Sequence, residues 1–400
     1  MIQRRKPAVG IIVASLLLAV LSGGASGNSK FDLAFLGERL DACDGRALAL
    51  GGDLQFIPDS LGVLQKNPAV LMFCNKVTIG AAQLASMNRG ASSDYSETNV
   101  TVTYPALMLA VPLSEHIVCG IGYRGRYNPD ASMAIQVEEE GFPIHRQVFS
   151  RTGGLFSIPF TVAMSPSRRV IAGAYLSMER GSIEDRWEIR FKDTAYIPSF
   201  GYKKVEFSGT GFGFGVVLFP TGPVMLGANY ESAISYDTDV YERYTQTALD
   251  SAYAGTVEMP SELGVSLTWR VSSAWNLCGG AAWRDFGSFE GLDFPSERLH
   301  RQERYAVGAE FGERRKLPLR FSFAYERMPY DFPESKRINK ITAGIGTGLL
   351  LNRGKGKIDI TVQVGQTGAI DTNGLQDKFY RLFIGVGGGE TWKRRGVARW

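Results

Sequence analysis

Three histidines and four cysteines are all that this chain of 400 residues offers as imidazole or thiolate ligands. A set so small and scattered excludes a zinc site built on either residue type and an imidazole-rich active centre. Charge of one sign is missing as well. Against 44 Lys and Arg stand 40 Asp and Glu, a net charge of +4 with the two signs interleaved. That balance leaves no electrostatic footprint for nucleic acid. Beyond residue 30 no stretch approaches the length of apolar sequence, about 18 residues, that a membrane-crossing helix needs. With 44% hydrophobic and 21% charged residues, disorder of the whole chain is excluded too. What is abundant is glycine, 47 residues, alongside 23 Phe, 16 Tyr and 6 Trp. In the absence of a collagen period, that combination points to β-structure with many tight turns.

The first 30 residues read as an address. Arg4, Arg5 and Lys6 precede an almost wholly apolar stretch from Val9 to Leu21, and small residues follow from Ser22 to Gly27. This is the three-part layout of a secretory signal peptide spanning residues 1–27, with cleavage near Gly27. The apolar stretch is short for a transmembrane helix.

From Lys76 onward the dominant period is two. Ile358, Ile360, Val362 and Val364 alternate with Lys357, Asp359, Thr361 and Gln363; Leu319, Phe321, Phe323 and Tyr325 alternate with Arg320, Ser322, Ala324 and Glu326. Each run is a strand with one apolar face. Aromatics such as Trp269, Trp275, Trp283 and Tyr325 close several of these faces, as in the girdle of a strand crossing a membrane interface. The pattern gives about fourteen strands, near 76–88, 98–112, 116–127, 154–164, 169–180, 208–219, 223–234, 260–271, 274–285, 303–313, 317–328, 338–351, 356–366 and 378–389. Short connections rich in turn formers, such as Pro220-Thr221-Gly222, alternate with long polar ones at 128–153, 181–207, 235–259 and 286–302. That is the rhythm of an outer-membrane barrel, with short periplasmic turns and long outer loops. A pair of soluble β-sandwiches would also alternate. The even strand number, the turn rhythm and the aromatic C-terminus with Trp392 and Trp400 favour an all-β transmembrane antiparallel barrel over residues 76–400.

Residues 28–75 do not alternate, and a barrel this wide is not filled by its own side chains. The segment is therefore expected to plug the lumen as a hatch. Gly45-Arg46-Ala47, Gly51-Gly52, Asp59-Ser60-Leu61-Gly62 and Asn67-Pro68-Ala69-Val70-Leu71 stand there in order. In this the chain resembles the FadL-type outer-membrane transporters of long-chain fatty acids and other hydrophobic compounds, whose hatch leads through an Asn-Pro-Ala motif into the first strand. The resemblance implies a hatch, a fourteen-strand barrel and passive uptake. Related barrels share the scaffold yet serve protein secretion or surface assembly, so the resemblance leaves the substrate open.

Several residues are candidates for the pathway. Besides Asn67, Pro68 and Ala69, strand parity turns Glu262, Arg270, Arg284, Glu310, Arg320, Glu326, Lys340, Asp359 and Arg381 away from lipid. For any one of them a lumen ion pair is the expected role; two or three are expected to guide an amphipathic solute. Pro105 and Pro159 interrupt strands and Asn128-Pro129 ends another, each marking a bulge or break in the ladder. Such a break is either an ordinary bulge or a side opening through which an apolar solute leaves into the membrane. Cys43 and Cys74 flank the hatch in an oxidising compartment and are the pair available to lock it; Cys119 and Cys278 read as small wall residues. Gly211-Phe212-Gly213-Phe214-Gly215 has no helix after it, so it reads as strand glycine approached by another element, not as a phosphate loop. His116, His145 and His300, with Asp285 and Asp293 near the last, give no positioned nucleophile and thus no enzyme.

The expectation is a monomeric channel of the cell outer membrane, without cofactor or metal, for hydrophobic or amphipathic small molecules such as long-chain fatty acids. Its partners would be that ligand, outer-membrane lipid and lipopolysaccharide, and the barrel-assembly machinery. The alternative is a non-transporting surface or protein-secretion-associated barrel on the same scaffold.

Overall fold

Period-two sequence produces a wall whose polarity is inverted relative to a soluble protein. Ile360, Val362 and Val364 are exposed while Asp359, Thr361 and Gln363 between them are buried. An apolar outside around a polar inside is stable only where lipid replaces water. A computed structural model describes residues 29, 31, 35–41, 43–54, 56–92, 96–138, 144–192, 196–244, 251–289, 299–313, 317–331, 336–351 and 354–390. The leader at 1–27, Asp293 and the C-terminal tryptophans lie outside the described residues.

Strand β1 (Glu38–Arg39) belongs to the N-terminal segment. The wall comprises β2 (Val77–Ser92), β3 (Ser96–Pro112), β4 (Ile117–Asn128), β5 (Ala131–Val137), β6 (His145–Ser167), β7 (Val170–Phe191), β8 (Ser199–Thr221), β9 (Val224–Glu231), β10 (Ile234–Tyr244), β11 (Ser251–Met259), β12 (Glu262–Arg270), β13 (Trp275–Asp285), β14 (Arg301–Phe311), β15 (Leu319–Asp331), β16 (Arg337–Leu351), β17 (Gly356–Ala369) and β18 (Leu375–Glu390). Every pairing is antiparallel, and β18 pairs with β2, so the sheet closes. Three staves are broken. β4 and β5 both lie along β6, β9 and β10 both along β8, and β11 and β12 continue each other against β10 and β9. Counted as staves, the wall is a closed 14-strand barrel, and it lies in the outer membrane.

Two girdles mark the membrane. Trp275 packs on Phe311 with ring centroids 4.9 Å apart, and Trp283 meets Tyr305 at 6.4 Å. The two tryptophans stand at opposite ends of β13, about 26 Å apart along the strand.

The strands near 154–164, 169–180 and 208–219 are longer than their alternation suggested. β6, β7 and β8 run 23, 22 and 23 residues, and the supposed loops 128–153, 181–207 and 235–259 contain their upper halves with β5, β10 and β11. About 9–11 residues cross a bilayer, so this side projects well beyond it. Beyond lipid the outward face need not be apolar. Glu184, Arg186, Glu188 and Arg190 occupy it on β7, which is why the lipid-type alternation vanished there.

Candidate functional site

Residues 35–41, 43–54 and 56–74 run inside the ring of strands. Near the short-turn end, Asn67 begins a 3-10 turn, Pro68–Phe73, and its side chain caps the turn by accepting from the Ala69 amide at 3.0 Å. Proline fits at the first position because that amide would be an orphan anyway. The Asn67 Nδ2 group donates to the carbonyls of Ala228 (3.1 Å) and Val216 (3.3 Å), pinning the turn to the wall. The wall makes room with glycine: a Cβ on Gly173 would come within 2.5 Å of the Ala69 nitrogen, and one on Gly215 within 2.0 Å of Asn67 Oδ1. The GFGFG run thus ends at a site of close approach.

Three ionic clusters fasten the segment. In the first, Arg39 binds Asp53 at 2.7 Å and Glu262 at 3.4 Å, Lys66 also binds Glu262, and Arg304 binds Asp53 at 2.7 Å. Glu262 further meets Arg284 at 3.1 Å, which with Arg126 grips Glu231 at 2.6 Å each. In the second, Glu310 accepts from Arg46 Nε and Arg320 Nε, both at 2.9 Å; Arg320 continues to Asp359 at 2.7 Å, and Lys357 joins Asp359 to Asp59 at 2.9 and 2.6 Å. In the third, Glu38 is held by Lys340 at 2.8 Å and by Arg381. Burial works against the charge of Asp59, but Lys357 and Arg46 hold its carboxyl down to about 2. Arg381 and Lys340 do the same for Glu38, likewise to about 2, against its burial. Asp59 and Glu38 are therefore charged at any physiological pH. They are fasteners.

The wall itself opens beside this layer. β3 and β4 pair only from Pro112↔Val118 up to Ala106↔Arg124. Immediately above, Pro105 lies in the register shift between β2 and β3, opposite Gln83. β4 carries an extra residue at Arg126 relative to β6 and then breaks at Pro129. Its edge, vacated by β3, is taken from inside by β1, with Glu38↔Asn128 and Arg39↔Tyr127. Beside this gap lies a cavity of about 870 Å³ that runs from the β3 edge across β4, β6, β7 and β8 to β10, bounded at the gap by Leu40, Tyr104, Tyr123, Leu155 and Phe156. Within the ion-pair layer the spaces are far smaller: one bounded by Arg39, Asp53, Lys66 and Arg284 holds about 20 Å³, about the room of one water.

Of the candidates, Glu310, Arg320 and Arg381 sit in the clusters just described. Glu326 lies at their edge, accepting from Gln302 at 2.6 Å. Arg270 stands at the rim of the second cluster: half-exposed at the short-turn end, it lies 3.7 Å from Glu313, which Arg46 binds at 2.9 Å. Pro159 pairs with Ser177 in unbroken register on the β7 side. Toward β4 the ladder skips it between Ile121↔Phe160 and Arg124↔Ser157 without adding a residue. It is therefore a missing donor and not the expected bulge. The bridge expected between Cys43 and Cys74 is not formed. Both are free and buried in one apolar cluster, where each fills space as a small hydrophobe. Burial also pushes the Cys74 thiol up to about 12, so little thiolate exists to react. His300 pairs with Asp331 at 2.9 Å, while Asp285 caps its own turn at Gly287. Lys66, Asp53, Arg126, Glu179 and Glu231 escaped the sequence reading. Of these only Lys66 carried a signal, its place just before Asn67.

The fold has known counterparts. The CymD monoaromatic hydrocarbon channel superposes with a TM-score of 0.59 at 14% identity, over 88% of this chain and 98% of that one. A Pseudomonas aeruginosa FadL homologue gives 0.62 at 12% identity, over 88% and 99%. The Pseudomonas putida toluene transporter TodX gives 0.57 at 13%, over 87% and 98%. At such identities the likeness establishes the fold. No curated protein matches the sequence. The family described as BamG matches residues 5–396.

Proposed function

The chain belongs to the BamG family, and from that premise and the geometry of its wall we propose that it passes hydrophobic or amphipathic small molecules, long-chain fatty acids among them, into the outer membrane. The observation that carries this reading is the opening beside Pro105. A lumen closed by buried ion pairs offers no axial route for an apolar solute, whereas the gap between β3 and β4 joins a large cavity to the bilayer side. Tyr104, Tyr123 and Phe156 give that gap an aromatic frame suited to an apolar body with a polar end. The segment 28–75 acts as the hatch, and no catalytic step is involved. Replacing Pro105 by valine restores a ladder donor and tightens the seam. Uptake of labelled long-chain fatty acid and of an aromatic hydrocarbon into proteoliposomes is the measurement: uptake by the parent protein, reduced in Pro105→Val, is expected. No uptake above background for any apolar solute would sink the proposal.

A second reading is a barrel that works alongside the barrel-assembly machinery without transporting. The family match and the closed lumen support it. It forecasts no flux, together with a loss of other folded barrels when this protein is removed.

A further inference from the structure

Above the seam, β5 pairs on one side with β6, from Ala131↔Arg151 to Val137↔His145. Among the described residues this is the one ladder of β5, since β4 continues it lengthwise along β6. β5 reads Ala-Ser-Met-Ala-Ile-Gln-Val, with no charge, proline or glycine, and Ile135 is exposed. Natural edge strands are usually blunted by such residues, and an unguarded neutral edge is a template for pairing. Next to it, Asn128 is 4% exposed and lines the cavity, yet its Nδ2 donor has no acceptor. Across the cavity the buried Thr103 hydroxyl has no partner either. Native proteins rarely leave such groups unmatched, because each costs its full desolvation.

The same cavity is acidic. Asp130, Glu206, Asp237 and Asp239 line it against a single base, Arg180, whose Nη1 donates to the carbonyls of Glu179 and Gly209. Asp239 stands directly opposite Glu206 in the ladder, a like-charge pair that weakens the sheet. Glu206 has Lys204 beside it at 2.6 Å.

We propose that β5 accepts, by strand addition, an extended segment of another polypeptide with a neutral core and flanking basic residues. The free edge supplies main-chain hydrogen bonds and Asn128 donates to an incoming carbonyl, while Asp130 at the foot of β5, with Glu206, Asp237 and Asp239 farther along the cavity on β8 and β10, selects lysine or arginine in the flank that enters it. A second copy of this chain fits badly. Antiparallel self-pairing centred on Ala134 sets Asp130 against Glu138 of the other copy, acid against acid. The site shares the cavity of the proposed solute route, and an added strand would cover the wall opening.

The test uses the full-length protein in detergent and a fluorescent synthetic peptide with alternating Thr and Val flanked by lysines. Anisotropy should report saturable binding that weakens with added salt. Affinity should fall about tenfold or more in Asp237→Asn/Asp239→Asn and in Asn128→Leu. Ile135→Lys, at an exposed position where folding is not at risk, should abolish it. A glutamate-flanked peptide, and one with proline in the core, should not bind. Equal binding of those controls, insensitivity to all three variants, or a β5-dependent dimer of the protein would each overturn the proposal. Bound peptide in a protein that shows no solute uptake would overturn the transport reading alone.

Discussion

The two sides of this barrel obey different rules. From β13 to β18 the strands run 11–16 residues, and only the β15–β16 pairing, near its long-loop end, shows a register shift. Their inward charges, Glu310, Arg320, Asp359 and Arg381, clamp the N-terminal segment. From β3 to β11 the staves are long, bulged and broken, and the seam between β3 and β4 lies there. The difference teaches that one side of the wall is built to hold and the other to open. A regular ladder satisfies every backbone group and lets long side chains reach inward. A broken one has to borrow β1 to cover the edge that β3 leaves.

The comparison is broken most severely by removing what the regular side holds. Deleting residues 31–72 should convert a closed barrel into a conducting one, the largest effect forecast here, read as single-channel conductance in planar bilayers. Unchanged conductance would mean the segment is not the plug. Next in size is Glu310→Ala on the holding side. It takes one carboxylate from both Arg46 and Arg320 but leaves each a second, Glu313 at 2.9 Å and Asp359 at 2.7 Å, so the loss stays below the about 3–5 kcal/mol of a buried pair broken outright. Denaturant unfolding from lipid vesicles should reveal it, whereas Pro105→Val on the opening side should leave stability at or above the parent value.

Acid should loosen the same clamp. Asp59 and Glu38 have folded values near 2, below the ordinary carboxylate range, so their contribution is complete above about pH 4 and is lost as pH falls toward 2. For Asp59 this amounts to about 2 kcal/mol. Protease susceptibility of the segment should rise over that window, which an acid titration followed by limited proteolysis would check. The smallest effect belongs to Asn67→Ala, which removes a cap and two donors to the wall for about 1–2 kcal/mol. Faster hydrogen exchange over Pro68–Phe73, with the barrel amides unchanged, is the expected signature.

Legibility followed the same division. On the regular side, Leu319, Phe321 and Phe323 face lipid and Arg320 and Glu326 face inward, as their alternation required. On the irregular side, sequence supplied the prolines but not their consequences. Pro105 lies at a register shift while Pro159 merely leaves a donor out, because a bulge depends on the partner strand's spacing as much as on the proline. Charged stretches such as Glu184–Arg190 passed for loop because a sheet beyond the membrane sheds the apolar face by which barrel strands are recognised. The cysteines misled for a related reason. An oxidising compartment permits a bridge, but only packing decides whether two thiols meet.

By itself the sequence determined a closed antiparallel barrel in a membrane, its number of staves, its short-turn and long-loop ends, and a glycine-rich segment ahead of it. Each of these follows from local periodicity, since a period of two and a turn former act within a few residues. The tertiary structure alone decided which charge meets which, as in Arg46 with Glu310 or Lys66 with Glu262, and that β4 abandons β3 for β1. Those choices join residues hundreds of positions apart, and no local pattern encodes a partner that only closure of the ring brings near.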